Sequence, residues 1–139
     1  MFDQAKLLVI VGCGCLTFTL FLAWCLVGVR VSARVKMLFP NYQYLLKAHI
    51  DYLLMTGLLM LFFLLFAHFR VTPSPIVVLA MCIGSVMNPA GFLALAIKPN
   101  LRQDPASPFG VIMTGSFTMT TIGYAGAAWS VACAAVLAG

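Results

Sequence analysis

The sequence predicts an all-α integral membrane four-helix bundle that leaves almost nothing outside the bilayer. Three observations carry that prediction. Of 139 residues, 63% are hydrophobic and 8% charged, with a mean hydropathy of +1.08; a soluble domain of this length needs many more charges to cover its surface. The apolar residues gather into four runs, each meeting the ~20 residues that a bilayer core asks of a helix. Each run is bounded by charge or by proline. No stretch is left for a separate soluble catalytic module, so any chemistry belongs inside the bundle or at its edge.

The four helices are predicted over about 6–29, 42–69, 75–97 and 110–138, within a single domain of residues 1–139. Arg30, Arg34 and Lys36 close the first. Its apolar run exceeds the ~7–15 residues of a signal-peptide core and is followed by basic residues, so it reads as a retained span. Phe39-Pro40-Asn41 leads into the second helix. Arg70 and Thr72-Pro73-Ser74-Pro75 form a tight link to the third, and Lys98-Pro99-Asn100 through Ser107-Pro108 forms the link to the fourth. Proline and Asn/Asp in those links favour turns.

The net charge of +5 comes from eight basic and three acidic residues. Their position between apolar runs points to topology and to anionic lipid headgroups. No basic face is large enough to track the phosphates of a nucleic acid. Arg30, Arg34, Lys36, Lys47, Lys98 and Arg102 lie at the first and third links, against Lys6 and Arg70 on the other side. The positive-inside rule then places those two links in the cytoplasm and both termini outside.

Ionisable groups inside a span are costly and need a reason. The densest cluster is Lys47-Ala48-His49-Ile50-Asp51-Tyr52, at the start of the second helix. Lys47 and Asp51 are one turn apart, within reach of an ion pair. His49 projects from another face, roughly in line with Leu45, Tyr52, Leu53 and Thr56, and stands about two turns inside a helix that begins near Asn41. Interfacial anchoring is the plainer reading of such a cluster, against which the depth of His49 favours an inward-facing role. His68 closes the same span where water reaches it. In the third span Asn88 precedes Pro89, which has no N–H for the helix ladder and is expected to open a kink there; an amide at that depth suits a binding cavity or helix-helix contact. Thr114, Thr118 and Thr121 form a polar stripe on the fourth helix, beside Gly115, Gly123 and Gly126, which permit close approach. Cys13, Cys15, Cys25, Cys82 and Cys133 all lie in apolar runs without zinc-type or covalent-haem spacing, which is the pattern of packing residues.

Ala48-His49, with Thr56-Gly57 further along the helix, and Asn88-Pro89-Ala90-Gly91-Phe92 in the third span resemble the small four-helix membrane proteins of the styrene oxide isomerase and hydroxylaminobenzene mutase family. The Lys98-Pro99-Asn100-Leu101-Arg102 loop is similar as well. The likeness covers roughly the middle half of the chain. It implies haem b bound between the protomers of a homotrimer in a bacterial inner membrane, with His49 as axial metal ligand and Asp51 and Tyr52 beside the cofactor. It also implies Asn88 and Thr56 lining the cavity of a small hydrophobic substrate. Ferric iron would act as a Lewis acid in an epoxide-to-carbonyl rearrangement. Two positions depart from the family pattern. Its second-helix Asn falls on Met55 or Thr56, and its third-helix tyrosine falls on Phe92, which has no hydroxyl for an epoxide oxygen. Two other readings remain open: a haem-binding or redox subunit without isomerase activity, and a non-enzymatic membrane scaffold subunit. In the redox reading, His49 and His68 are 19 residues apart, about 28 Å along a helix, too far to share one haem within a chain.

Overall fold

Long, predominantly apolar runs leave the backbone one way to satisfy its N–H and C=O groups in lipid, which is the helix. A computed structural model of the chain describes residues 3–101 and 104–138; Arg102, counted above in the third link, lies outside them. The helices are α1 (Asp3–Val31), α2 (Ala33–Leu38), α3 (Tyr42–His68), α4 (Pro75–Ile97) and α5 (Pro108–Ala138). Four are long and apolar enough to cross a membrane, and no strand occurs among the described residues. Large apolar side chains point away from the bundle, among them Trp24, Trp129, Val136 and Leu137, each more than 70% exposed. Water would make such a surface an aggregation site, whereas lipid covers it.

The four spans start and stop close to the positions expected. The sequence reading has no counterpart for α2, a six-residue helix after Ser32 that carries Arg34 and Lys36 and buries nothing. Its length is far below any membrane-span window, and the basic residues that end the first apolar run ride on it. Caps explain the other boundaries. Asn41 accepts the Tyr44 N–H at 3.3 Å to open α3, Pro75 starts α4 where a missing N–H is harmless, and the Ser107 hydroxyl accepts the Gly110 N–H at 3.0 Å at the head of α5.

α3 is central, packed against α1 and α4, while α5 lies against α4 and α1 also touches α4. The core forms two clusters, one towards each end. Leu8, Leu59, Phe66, Val78, Met81 and Ala127 fill the end that holds both termini, and Cys15, Leu22, Phe39, Leu45, Ala48 and Tyr52 fill the other. The α4–α5 seam is unusually close. A Cβ on Gly84 would stand 2.7 Å from the Thr120 backbone, and one on Gly123 would stand 2.9 Å from the Ala80 carbonyl carbon. Small residues let two backbones approach this way in lipid, where packing replaces the hydrophobic effect as the driving force. Gly126 packs likewise on Val77, whereas Gly115 has nothing near it. Thr114, Thr118 and Thr121 are exposed; Thr118 and Thr121 donate back to the carbonyls of Thr114 and Phe117 in their own helix.

Candidate functional site

Because α3 begins at Tyr42, His49 sits seven residues in, about 10 Å along the axis. Ala48 and Tyr52 are buried on the core face, and His49 is half-buried on the flank turned to α1. Its Nδ1 lies 3.1 Å from the main-chain carbonyl oxygen of Thr19. A carbonyl only accepts, so Nδ1 carries the proton of this bond, and in the neutral ring Nε2 then holds the free lone pair. Thr19 is itself buried, with its hydroxyl donated to the Cys15 carbonyl at 2.8 Å. Nothing in the sequence singles out Thr19, because the group that orients His49 belongs to the backbone.

Residues two apart on a helix differ by about 200° in direction, and Asp51 accordingly faces α4. There Asn88 donates its Nδ2–H to Asp51 Oδ2 at 3.2 Å. The Lys47–Asp51 ion pair that the spacing allows does not form; Lys47 is exposed and holds its Nζ 5.2 Å from the Tyr44 ring centre. An interfacial lysine keeps its hydration this way, while the half-buried carboxylate is satisfied by a neutral amide.

Tyr52 is buried. Its ring packs edge-on against Phe18 at 5.0 Å, and its hydroxyl donates to the Val86 carbonyl at 3.0 Å. That bond sits beside the break in the α4 ladder, since Pro89 has no N–H to offer the Ser85 carbonyl. The helix nevertheless continues through Pro89 to Ile97. Thr56 is buried too, and its hydroxyl donates to the Tyr52 carbonyl one turn back at 2.9 Å. A cleft of about 390 Å³ opens one turn from His49, lined by Val11, Gly14, Cys15, Phe18, Tyr52 and Val86; the imidazole does not line it.

The five residues singled out from the sequence therefore fall into separate groups. His49 faces α1, Asp51 and Asn88 meet between α3 and α4, Tyr52 ties the two helices together in the core, and Thr56 is bonded within its own helix. His68 is exposed at the end of α3, edge-on to Phe69 at 4.8 Å. All five cysteines are free thiols. Among the described residues no three His, Cys, Asp or Glu side chains gather to hold a bare metal ion.

The donor chemistry does suit a haem. A porphyrin supplies four nitrogens of its own, so a single imidazole from the chain would be enough to hold its iron. A metal-binding histidine characteristically donates its other ring N–H to a carbonyl or carboxylate, which fixes the tautomer. His49 meets that requirement. Comparison of the chain with protein-family models, curated proteins and solved structures finds no match.

Proposed function

We propose that this chain is a haem b-dependent membrane isomerase that rearranges a small hydrophobic substrate, of the epoxide-to-carbonyl type, with His49 as the residue that would hold the iron. The observation that carries the reading is the Nδ1–H bond from His49 to the Thr19 carbonyl, which leaves Nε2 as the lone-pair nitrogen. Bound ferric haem would supply a Lewis acid for the substrate oxygen, with no net redox change. The chain's own part is to hold the imidazole in one tautomer and orientation and, through its apolar helices, to keep water from the reacting centre. Asn88 and Asp51 lie on the opposite flank of α3 from His49, so they reach a group held there only across an interface between copies. A cyclic homotrimer in a bacterial inner membrane would supply such an interface, because in a ring different flanks of neighbouring protomers meet.

Purified protein is expected to show a Soret band that His49→Ala abolishes, and ferric protein is expected to turn over an aryl epoxide and to stop when reduced. Native mass spectrometry in detergent is expected to give a trimer. One observation favours a scaffold instead: at the α3–α4 seam every buried side-chain polar atom is partnered, the single exception among the described residues being Ser116 Oγ on α5. A folded preparation that stays colourless when supplied with haem would establish that second reading in place of the first.

A further inference from the structure

At the end of the bundle that holds both termini, α1, the end of α3 and the α3–α4 link line a partly open cavity of about 320 Å³. Ala5, Phe63, Phe66, Ala67 and Val71 give it apolar walls, and its one charged lining residue is Arg70. Phe66 lies 17 residues past His49, about 25 Å along α3, so this cavity is separate from the histidine site. Its volume falls at the small end of the range of ligand pockets.

Arg70 occupies a position that its backbone disfavours. The Val71 N–H bonds the Phe66 carbonyl at 2.9 Å and the Arg70 N–H faces the Ala67 carbonyl at 3.4 Å, a Schellman close to α3 in which the residue after the C-cap is left-handed. Arg70 has φ 53° and is the only non-glycine residue with positive φ among those described. Glycine takes that conformation without steric cost and arginine does not. The guanidinium itself makes no hydrogen bond or ion pair with the described residues. Arg70 is exposed, and a cation in a left-handed turn at the rim of an apolar cavity matches a ligand having both an anionic head and an apolar tail. Just past the end of a 27-residue helix long enough to cross a membrane, Arg70 would stand near the lipid phosphates, with Phe63 and Phe66 one to two turns nearer the bilayer centre.

We propose that this cavity binds one anionic phospholipid, its phosphate on the Arg70 guanidinium and the upper part of one acyl chain against Phe63, Phe66 and Ala67. The full-length protein, delipidated in neutral detergent, would be titrated with phosphatidylglycerol, phosphatidylcholine and glycerol phosphate, and bound lipid counted by native mass spectrometry. Phosphatidylglycerol is expected to bind once per protomer, about tenfold more tightly than phosphatidylcholine, and glycerol phosphate, which lacks the chain, not to be retained. Arg70→Gly suits the left-handed backbone, so this variant is expected to melt no lower than the parent in detergent while losing the preference for phosphatidylglycerol. Ala67→Trp, which fills the cavity, should reduce retention of both lipids. Equal binding of the two lipids by the parent, retention of glycerol phosphate, or an unchanged preference in Arg70→Gly would overturn the proposal.

Discussion

The imidazole of His49 on α3 and the main-chain carbonyl of Thr19 on α1 meet at 3.1 Å, and this contact decides which ring nitrogen is available. Nδ1 is committed to the neighbouring helix, so Nε2 is the nitrogen with a free lone pair, the one that would hold iron in the proposed haem site. In ¹⁵N spectra of ring-labelled protein the neutral imidazole should appear as the Nδ1–H tautomer, and added haem should perturb Nε2 most. Protonation at Nε2 in the neutral ring would contradict the geometry.

His49→Gly separates a ligand from a packing residue. The variant should lose the Soret band expected of the parent, and free imidazole at millimolar concentration should restore it, because the deleted side chain leaves room for an added ring. The loss in stability should be small, about 1 kcal/mol for one hydrogen bond and roughly another for glycine within a helix. Thermal melting and the visible spectrum read the two effects separately.

The Asn88–Asp51 contact should behave as a structural pair with respect to the histidine. Asn88→Leu leaves the half-buried Asp51 carboxyl without its amide and should destabilise the protein by about 1–3 kcal/mol. In a cycle with Asp51→Asn the coupling should be near 1 kcal/mol, the scale of hydrogen bonds between membrane helices. The Soret maximum expected of the proposed haem site should stay in place, since His49 is on the other flank. Epoxide turnover is the informative second readout. If Asn88 faces substrate across a protomer interface, kcat falls although the spectrum does not.

Much of the architecture was legible because lipid makes composition decisive. Charges at Arg30 and Arg70 and proline at Pro75 and Pro108 mark span ends that the helices closely respect. The depth of His49 followed from placing the start of α3 near Asn41. The partners were harder to read. Lys47 and Asp51 have ion-pair spacing, yet the carboxylate turns to Asn88, because the choice depends on which helix packs against that flank. α2 escaped notice because six residues with two charges resemble a link. Thr19 could not be found from the sequence at all, since any residue there presents the same carbonyl.

Tyr52→Phe distinguishes packing from cofactor contact at the residue that the family resemblance places beside the haem. The hydroxyl's partner is the Val86 carbonyl at 3.0 Å, next to the Pro89 gap, so its removal should cost about 1 kcal/mol. The ring stays on Phe18, so the Soret maximum and its intensity per folded protomer should be unchanged. A shifted band would mean that the hydroxyl serves the cofactor instead of α4.

The close α4–α5 seam makes opposite predictions for two glycines on one helix. A Cβ at Gly123 would stand 2.9 Å from the Ala80 carbonyl carbon, and the obstacle is backbone that cannot rotate aside. Gly123→Ala should therefore force the helices apart and destabilise the protein, and Gly123→Leu should do so by at least about 3 kcal/mol. Gly115 meets nothing within 4 Å, so Gly115→Ala should gain only the helix-propensity difference, up to about 1 kcal/mol. Unfolding of the two variants in detergent checks the contrast. Similar losses at both positions would mean that Gly115 also lies against a neighbour, which in the proposed trimer would be a second copy of the chain.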